Sequence, residues 1–239
     1  FEIFLYLFPV IRTPMNAILG MTSIATMHID EKERVLDALG KITVSGKHLL
    51  GLINEVLDMS RIESGKVSLV EGSFNLSDTI ESLMTVFRTQ MDAKGLMLNA
   101  GIAKLEHENV IGDEQHLQQI FMNIMGNAVK FTPSGGMISI HIEEKSSQFD
   151  GYGCYEFTFE DTGIGMAPDY IQKIFEPFSR AADSRTGKIE GTGLGMSIAV
   201  NIARMMKGDI KVESELGKGS KFTVIVYLKL DDLTASGGI

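Results

Sequence analysis

Asp161-Thr-Gly-Ile-Gly165, with a second cluster further on, Gly191-Thr-Gly-Leu-Gly195, decides how the rest of this chain is read. Glycines two apart let the backbone turn tightly, tolerate positive φ and bring amide groups close to anionic oxygens. The second cluster leads straight into an apolar periodic run, Met196 to Met206, so its amides would open a helix whose positive end favours anions. Between the clusters lie Phe175-Glu-Pro-Phe178 and a polar segment rich in Ser, Arg and Gly. Either cluster alone reads more readily as a plain turn. The ordered pair reads as a nucleotide pocket.

Working outward, 239 residues with 44% apolar content can build a sizeable core in one or two domains. The formal net charge of -9, without a basic stripe, argues against nucleic acid as a partner. Cys154 is the only cysteine, which excludes an intrachain disulfide and multi-cysteine metal frameworks and fits a reducing, cytoplasmic setting. The apolar run Phe1 to Ile11 is shorter than the roughly 20 residues a membrane span needs. It also lacks the basic start and cleavage site of a signal peptide, and reads as a helix start or a fragment's end.

Residues 1–64 carry a helical pattern. Ile11, Met15, Ile18, Thr22 and Ala25 alternate at spacings of four and three until Asp30-Glu-Lys-Glu breaks the run. Val35, Leu39, Ile42, Gly46, Leu49, Ile53, Val56 and Ser60 then resume it, with further apolar residues at Leu36, Leu50 and Leu57. Two helices joined by a short polar turn make an antiparallel hairpin. Its wide apolar face predicts burial against a second copy, as a four-helix bundle in a homodimer, rather than against the rest of its own chain.

Residues 65–74 read as an extended linker and 75–230 as a second domain. Asn75 or Ser77 caps a helix closed by Gly95, and Asp113 caps a helix stopped by Pro133-Ser-Gly-Gly136. Strands are expected at Met97 to Ile102, Asn109 to Ile111, Met137 to Glu143, Tyr155 to Glu160, Ile210 to Glu213 and Lys221 to Leu228. The fold class is therefore α+β: a helical hairpin followed by an α/β sandwich with a mixed sheet and three main helices. Residues 231–239 are a polar tail or linker.

Three further features align with the glycines. Asn123 and Asn127 sit four apart on one helix face, with Lys130 about one turn beyond. Carboxamide oxygens suit Mg²⁺, which keeps waters and shares phosphate oxygens. Asp161 ends a strand where its carboxylate can accept from an exocyclic amino group; adenine offers that donor, and guanine presents a carbonyl there. Asn123-Ile-Met-Gly-Asn127-Ala-Val-Lys130-Phe-Thr, Asp161-Thr-Gly-Ile-Gly165, Phe175-Glu-Pro-Phe178, Gly191-Thr-Gly-Leu-Gly195 and Gly217-Lys-Gly219 resemble, in order, the N, G1, F, G2 and G3 boxes of sensor histidine kinases. Arg12-Thr-Pro-Met-Asn-Ala-Ile-Leu-Gly20 resembles the right half of their H box.

The resemblance implies a Bergerat-type ATP-binding domain behind a dimerising histidine-phosphotransfer hairpin, with ATP and Mg²⁺ as cofactors and a response-regulator receiver domain as partner. It implies that Asp161 reads adenine, that Asn127 holds Mg²⁺ and that Asn123 and Lys130 line the phosphates. Gly163, Gly165, Phe178, Gly191, Gly193, Leu194 and Gly195 would frame the nucleotide. Arg180 would approach the γ-phosphate from a lid spanning Ser179 to Glu190. A cytoplasmic core of a larger, membrane-anchored or free sensor is the implied setting. The related chaperone and mismatch-repair ATPases carry a Glu where Asn123 stands here, which argues against them.

One departure is sharp. The family's H box reads Ser-His-Glu-hydrophobic-Arg-Thr-Pro, and the matching residues are Phe8, Pro9, Val10, Ile11, Arg12, Thr13 and Pro14. Pro9 replaces the phosphoryl-accepting histidine and Val10 its acidic neighbour, so neither nucleophile nor base remains there. His28 lies roughly 28 Å along by helical rise. His48, His107, His116 and His141 lie elsewhere, and all five are expected in surface or structural roles. Three explanations stand: a frameshift or misassigned start before Ile11, a variant that binds ATP without phosphorylating itself, or a phosphatase bias. The last follows from Thr13, which occupies the position the family associates with dephosphorylating the response regulator. Proline inside a helix costs about 3 kcal/mol, so the first helix is expected to start near Pro9 or kink there.

Overall fold

The computed structural model describes residues 2–102, 105–179 and 191–231, with backbone alone at residues 2–7, 9 and 102. The chain divides into two compact units, Phe1–Lys66 and Val67–Ile239.

The first unit is a hairpin of α1 (Glu2–Met27) and α2 (Lys32–Glu63). His28 to Glu31 make the turn, tied by a His28–Glu31 contact of 2.7 Å and an Arg34–Glu31 contact of 3.0 Å. Gly65, at φ 62°, ends α2. The expectation that the first helix starts near Pro9 is overturned. α1 begins at Glu2, and its helical assignment is unbroken through both Pro9 and Pro14. Each proline removes one amide donor, leaving the carbonyls of Leu5 and Val10 without that bond, but the ladder continues on both sides of each gap.

The apolar stripe on α2 also differs from the expected one. Ala38, Leu52 and Met59 are buried, while Leu36, Leu39, Leu50, Ile53 and Leu57 stay exposed. The single stripe read from the sequence is therefore two adjacent seams, one buried within the hairpin and one open. Among the described residues, no helix is long and apolar enough to cross a membrane.

The second unit begins with β1 (Gly72–Asn75), inside the stretch expected to be linker. Next come α3 (Leu76–Lys94), β2 (Met97–Ile102), β3 (Asn109–Gly112), α4 (Glu114–Phe131), β4 (Met137–Lys145) and β5 (Tyr152–Asp161). A short α5 (Pro168–Ile171), α6 (Gly195–Met205), β6 (Asp209–Glu215) and β7 (Gly219–Leu230) follow. The sheet runs β1-β3-β7-β5-β4-β2. β2 and β4 are parallel and every other pair antiparallel, so the sheet is mixed. One edge of β7 is shared: its first half pairs with β6 and its last two residues with β3.

Local chemistry explains the boundaries. The Asn75 side chain accepts from the Asp78 amide and Asp113 from the His116 amide, each satisfying an orphan donor at a helix start. Gly95 closes α3 in the left-handed conformation. α3, α4 and α6 cover one face of the sheet. Phe121 of α4 meets Phe157 and Phe159 of β5 at ring-centroid distances of 4.7 and 5.5 Å, and all three are buried. Burying such side chains stabilises by about 1.5–3 kcal/mol each. At the far edge, Ser73 donates to Asp231, just past β7, at 2.5 Å.

Candidate functional site

The site is built on the C-terminal half of α4. Leu117, Ile120, Phe121, Ile124, Met125, Ala128 and Val129 point into the core. Asn123, Asn127 and Lys130 therefore lie on the half-exposed face left over, as their spacing requires. The Lys130 ammonium stands 5.0 Å from the Phe131 ring centroid.

Two glycine loops converge on this helix end. The Ile164 amide donates to the Phe131 carbonyl at 3.3 Å, fastening the first loop to α4. A β-carbon at Gly163 would lie 2.9 Å from that same oxygen. From the second loop, Gly195 abuts Asn123 and Gly191 abuts Lys130: added β-carbons would fall 3.1 Å from Asn123 Oδ1 and 2.8 Å from Lys130 Nζ. Gly165 cannot carry a side chain, because at φ +64° its β-carbon would fall 1.9 Å from the Glu215 carbonyl oxygen. At Gly193, φ +75°, an added β-carbon would fall 2.7 Å from the Ser179 carbonyl oxygen and 2.8 Å from the backbone of Phe178.

Leu194 is wholly buried, and its amide donates to Thr192 Oγ1 at 3.1 Å. Phe178 itself adopts φ 62°, uncommon for a non-glycine residue. Asn123, Asn127, Lys130, Asp161, Gly163, Gly165, Phe178, Gly191, Gly193, Leu194 and Gly195 thus all belong to one unit, around the end of α4 and the loops that meet it. Arg180 and lid residues 181–190 lie outside the described residues, as does the tail from 232 onward.

Asp161 ends β5 with its carboxyl buried. Burial pushes its pKa up to about 6, against the opposing pull of amides from Gly163 and Ser220. The Gly163 amide donates to Oδ1 at 2.8 Å, and a carboxylate that takes two amides still has acceptor capacity for a further partner. Among the described residues, no cluster of three or more His, Cys, Asp or Glu could hold a metal ion. Mg²⁺ would fit only as a hard ion on a carboxamide such as Asn127, completed by phosphate oxygens and water.

In the first unit, Thr13 is exposed on α1 and Pro9 occupies a helical position. The histidines take structural or surface places: His107 pairs with Glu144 at 2.7 Å, His116 with Asp113 at 2.6 Å, and His141 lies 4.0 Å from Glu143. Sequence reading missed the Phe131 carbonyl as the anchor of the first glycine loop. A main-chain acceptor leaves no signature in residue type.

Comparison with known proteins agrees with this architecture. Residues 112–232 match the family model for the histidine kinase-, DNA gyrase B-, and HSP90-like ATPase, and residues 10–65 match the His Kinase A (phospho-acceptor) domain. The chain is 34% identical over 221 residues to the autoinducer 2 sensor kinase/phosphatase LuxQ of Vibrio parahaemolyticus serotype O3:K6, covering 92% of this chain and 25% of that protein. It is 34% identical over 229 residues to the histidine protein kinase DivJ of Caulobacter vibrioides, covering 95% and 37%. The chain thus spans between a quarter and two fifths of the length of these relatives. Among solved structures, full-length ShkA in complex with AMPPNP superposes with a TM-score of 0.70 at 28% identity, covering 92% of this chain and 44% of that one.

Proposed function

Since the chain belongs to the sensor histidine kinases, a helical hairpin followed by their ATPase domain, we propose that its second unit binds Mg-ATP between the two glycine loops and the exposed face of α4. The meeting of Gly191 with Lys130 and Gly195 with Asn123, beside the buried Asp161, carries this reading. Asp161 accepts the adenine amino group, Asn127 holds Mg²⁺, and Asn123 and Lys130 line the phosphates. ATP supplies the phosphoryl group, and the residues orient it and offset its charge, as in other phosphoryl transfers. Arg180 and the lid complete the site. Binding of AMPPNP by ShkA supports the choice of an adenine nucleotide.

The open seam of Leu36, Leu39, Leu50, Ile53 and Leu57 supports dimerisation through a four-helix bundle, and the receiver domain of a response regulator is the partner. As written, the chain does not phosphorylate itself at the H-box position, because Pro9 and Val10 offer neither nucleophile nor base. Thr13 favours a second reading, in which the chain dephosphorylates the regulator or controls it without chemistry. The sensor kinase/phosphatase name of LuxQ is in keeping with it.

Incubation with γ-labelled ATP, beside a Pro9→His, Val10→Glu double substitution, tests these readings. The unmodified chain binds Mg-ATP and takes no label, while the double substitution becomes labelled. Label on the unmodified chain overturns the loss of autophosphorylation, and absence of nucleotide binding overturns the site.

A further inference from the structure

The regular ladder of α4 ends at the Ala128 carbonyl; the three carbonyls beyond it, of Val129, Lys130 and Phe131, have no helical partner, and each has found another. Thr132 donates to the Ala128 carbonyl through its amide at 3.0 Å and its hydroxyl at 2.6 Å. Ile164 of the first glycine loop donates to Phe131. The two carbonyls between them, those of Val129 and Lys130, both accept from Lys94 Nζ, at 2.6 and 2.9 Å. Lys94 is the last residue of α3, and it reaches across 35 and 36 residues of sequence to do this.

A cation on these oxygens is favoured twice over, by charge-assisted hydrogen bonds and by the negative end of the helix. It sits one residue from the carbonyl that fastens the first glycine loop, and on the backbone of the very residue whose side chain meets Gly191 of the second. No glycine box and no periodicity assigns Lys94 a part in the site.

We propose that Lys94 is a positioning residue for the nucleotide pocket. It fixes the register of the end of α4, so that the Phe131 carbonyl holds the first glycine loop and the Lys130 side chain faces the second. It touches no nucleotide atom itself. The inference rests on the ATP reading for its effect on affinity but not for its effect on the loop.

The test uses the full chain, with Lys94→Met and Lys94→Arg substitutions. It measures ATP affinity by titration calorimetry and amide exchange at Ile164, with the central β5 amides as internal reference. Lys94→Met is expected to weaken ATP about tenfold and to speed Ile164 exchange about tenfold while β5 is unchanged. Lys94→Arg, which keeps the charge and donors, stays within about twofold on both measures. Unchanged Ile164 exchange in Lys94→Met overturns the proposal. So does exchange rising equally at Ile164 and in β5, the mark of plain destabilisation or misfolding, and so does failure of Lys94→Arg to restore the loop. If the unmodified chain bound no ATP, the functional reading would fall, and Ile164 exchange would still decide the role of Lys94.

Discussion

In the hairpin, a β-carbon added at Gly20, Gly40, Gly46 or Gly51 would meet nothing within 4 Å, whereas one added at Gly165 in the ATPase unit would lie 1.9 Å from a carbonyl oxygen. The two units hold their function in different ways. Around α4 the residues proposed to bind nucleotide are bound up with backbone that can pass nowhere else, so chemistry and fold stand or fall together. In the hairpin the fold asks only for two apolar seams, and the phosphoryl acceptor would be one side chain on a helix. The helix makes little demand on which residue stands there: it persists from Glu2 to Met27 with Pro9 in its path.

The contrast can be broken or sharpened by measurement. The largest effect is expected from Gly165→Ala, which combines positive φ with a backbone collision and should destabilise the ATPase unit by about 3 kcal/mol or more, read as a lowered urea midpoint. A loss below about 1 kcal/mol would mean that the loop relaxes freely. Next, Asp161→Asn should weaken ATP by roughly 2 kcal/mol, about thirtyfold in titration calorimetry, since a carboxamide is a poorer and misoriented acceptor. The same substitution should raise the ligand-free urea midpoint at pH 8, because it no longer buries a charge.

Acidity probes the same group more gently. Asp161 has a raised pKa, so the folded state binds more protons than the unfolded between the ordinary carboxylate value and about 6. Its contribution to stability is full below that window and is lost as pH rises through about 6. ATP affinity should run the other way and fall about tenfold between pH 7 and pH 5 as the acceptor becomes protonated. An affinity flat across that range would remove Asp161 from adenine recognition. The smallest effect belongs to the hairpin: Gly40→Ala, exposed in mid-helix with open space around it, should stabilise by about 1 kcal/mol, read as a raised melting temperature.

Much of the fold was legible where local chemistry decides it. The caps at Asn75 and Asp113, the glycine stop at Gly95 and the strand Met97–Ile102 stand where sequence put them. β1 was not legible, because Gly72-Ser-Phe-Asn75 has no alternation and becomes a strand through pairing with β3. Nor was the division of the α2 stripe into two seams, since periodicity cannot say which side of a wide apolar face meets α1. The ordered boxes located the candidate site, but the Lys94 contact escaped them because it joins residues far apart without any local pattern.

The Ser73–Asp231 hydrogen bond joins the first strand of the ATPase unit to the residue that follows its last. A module whose entrance and exit adjoin can be spliced between other segments much as a bead is threaded on a string, displacing its neighbours very little. Joining the two ends at that seam and opening the chain at an exposed turn elsewhere, in a circular permutant of the ATPase unit, should therefore leave its sheet intact. The same closeness makes the unit easy to reuse, whatever is strung on either side of it.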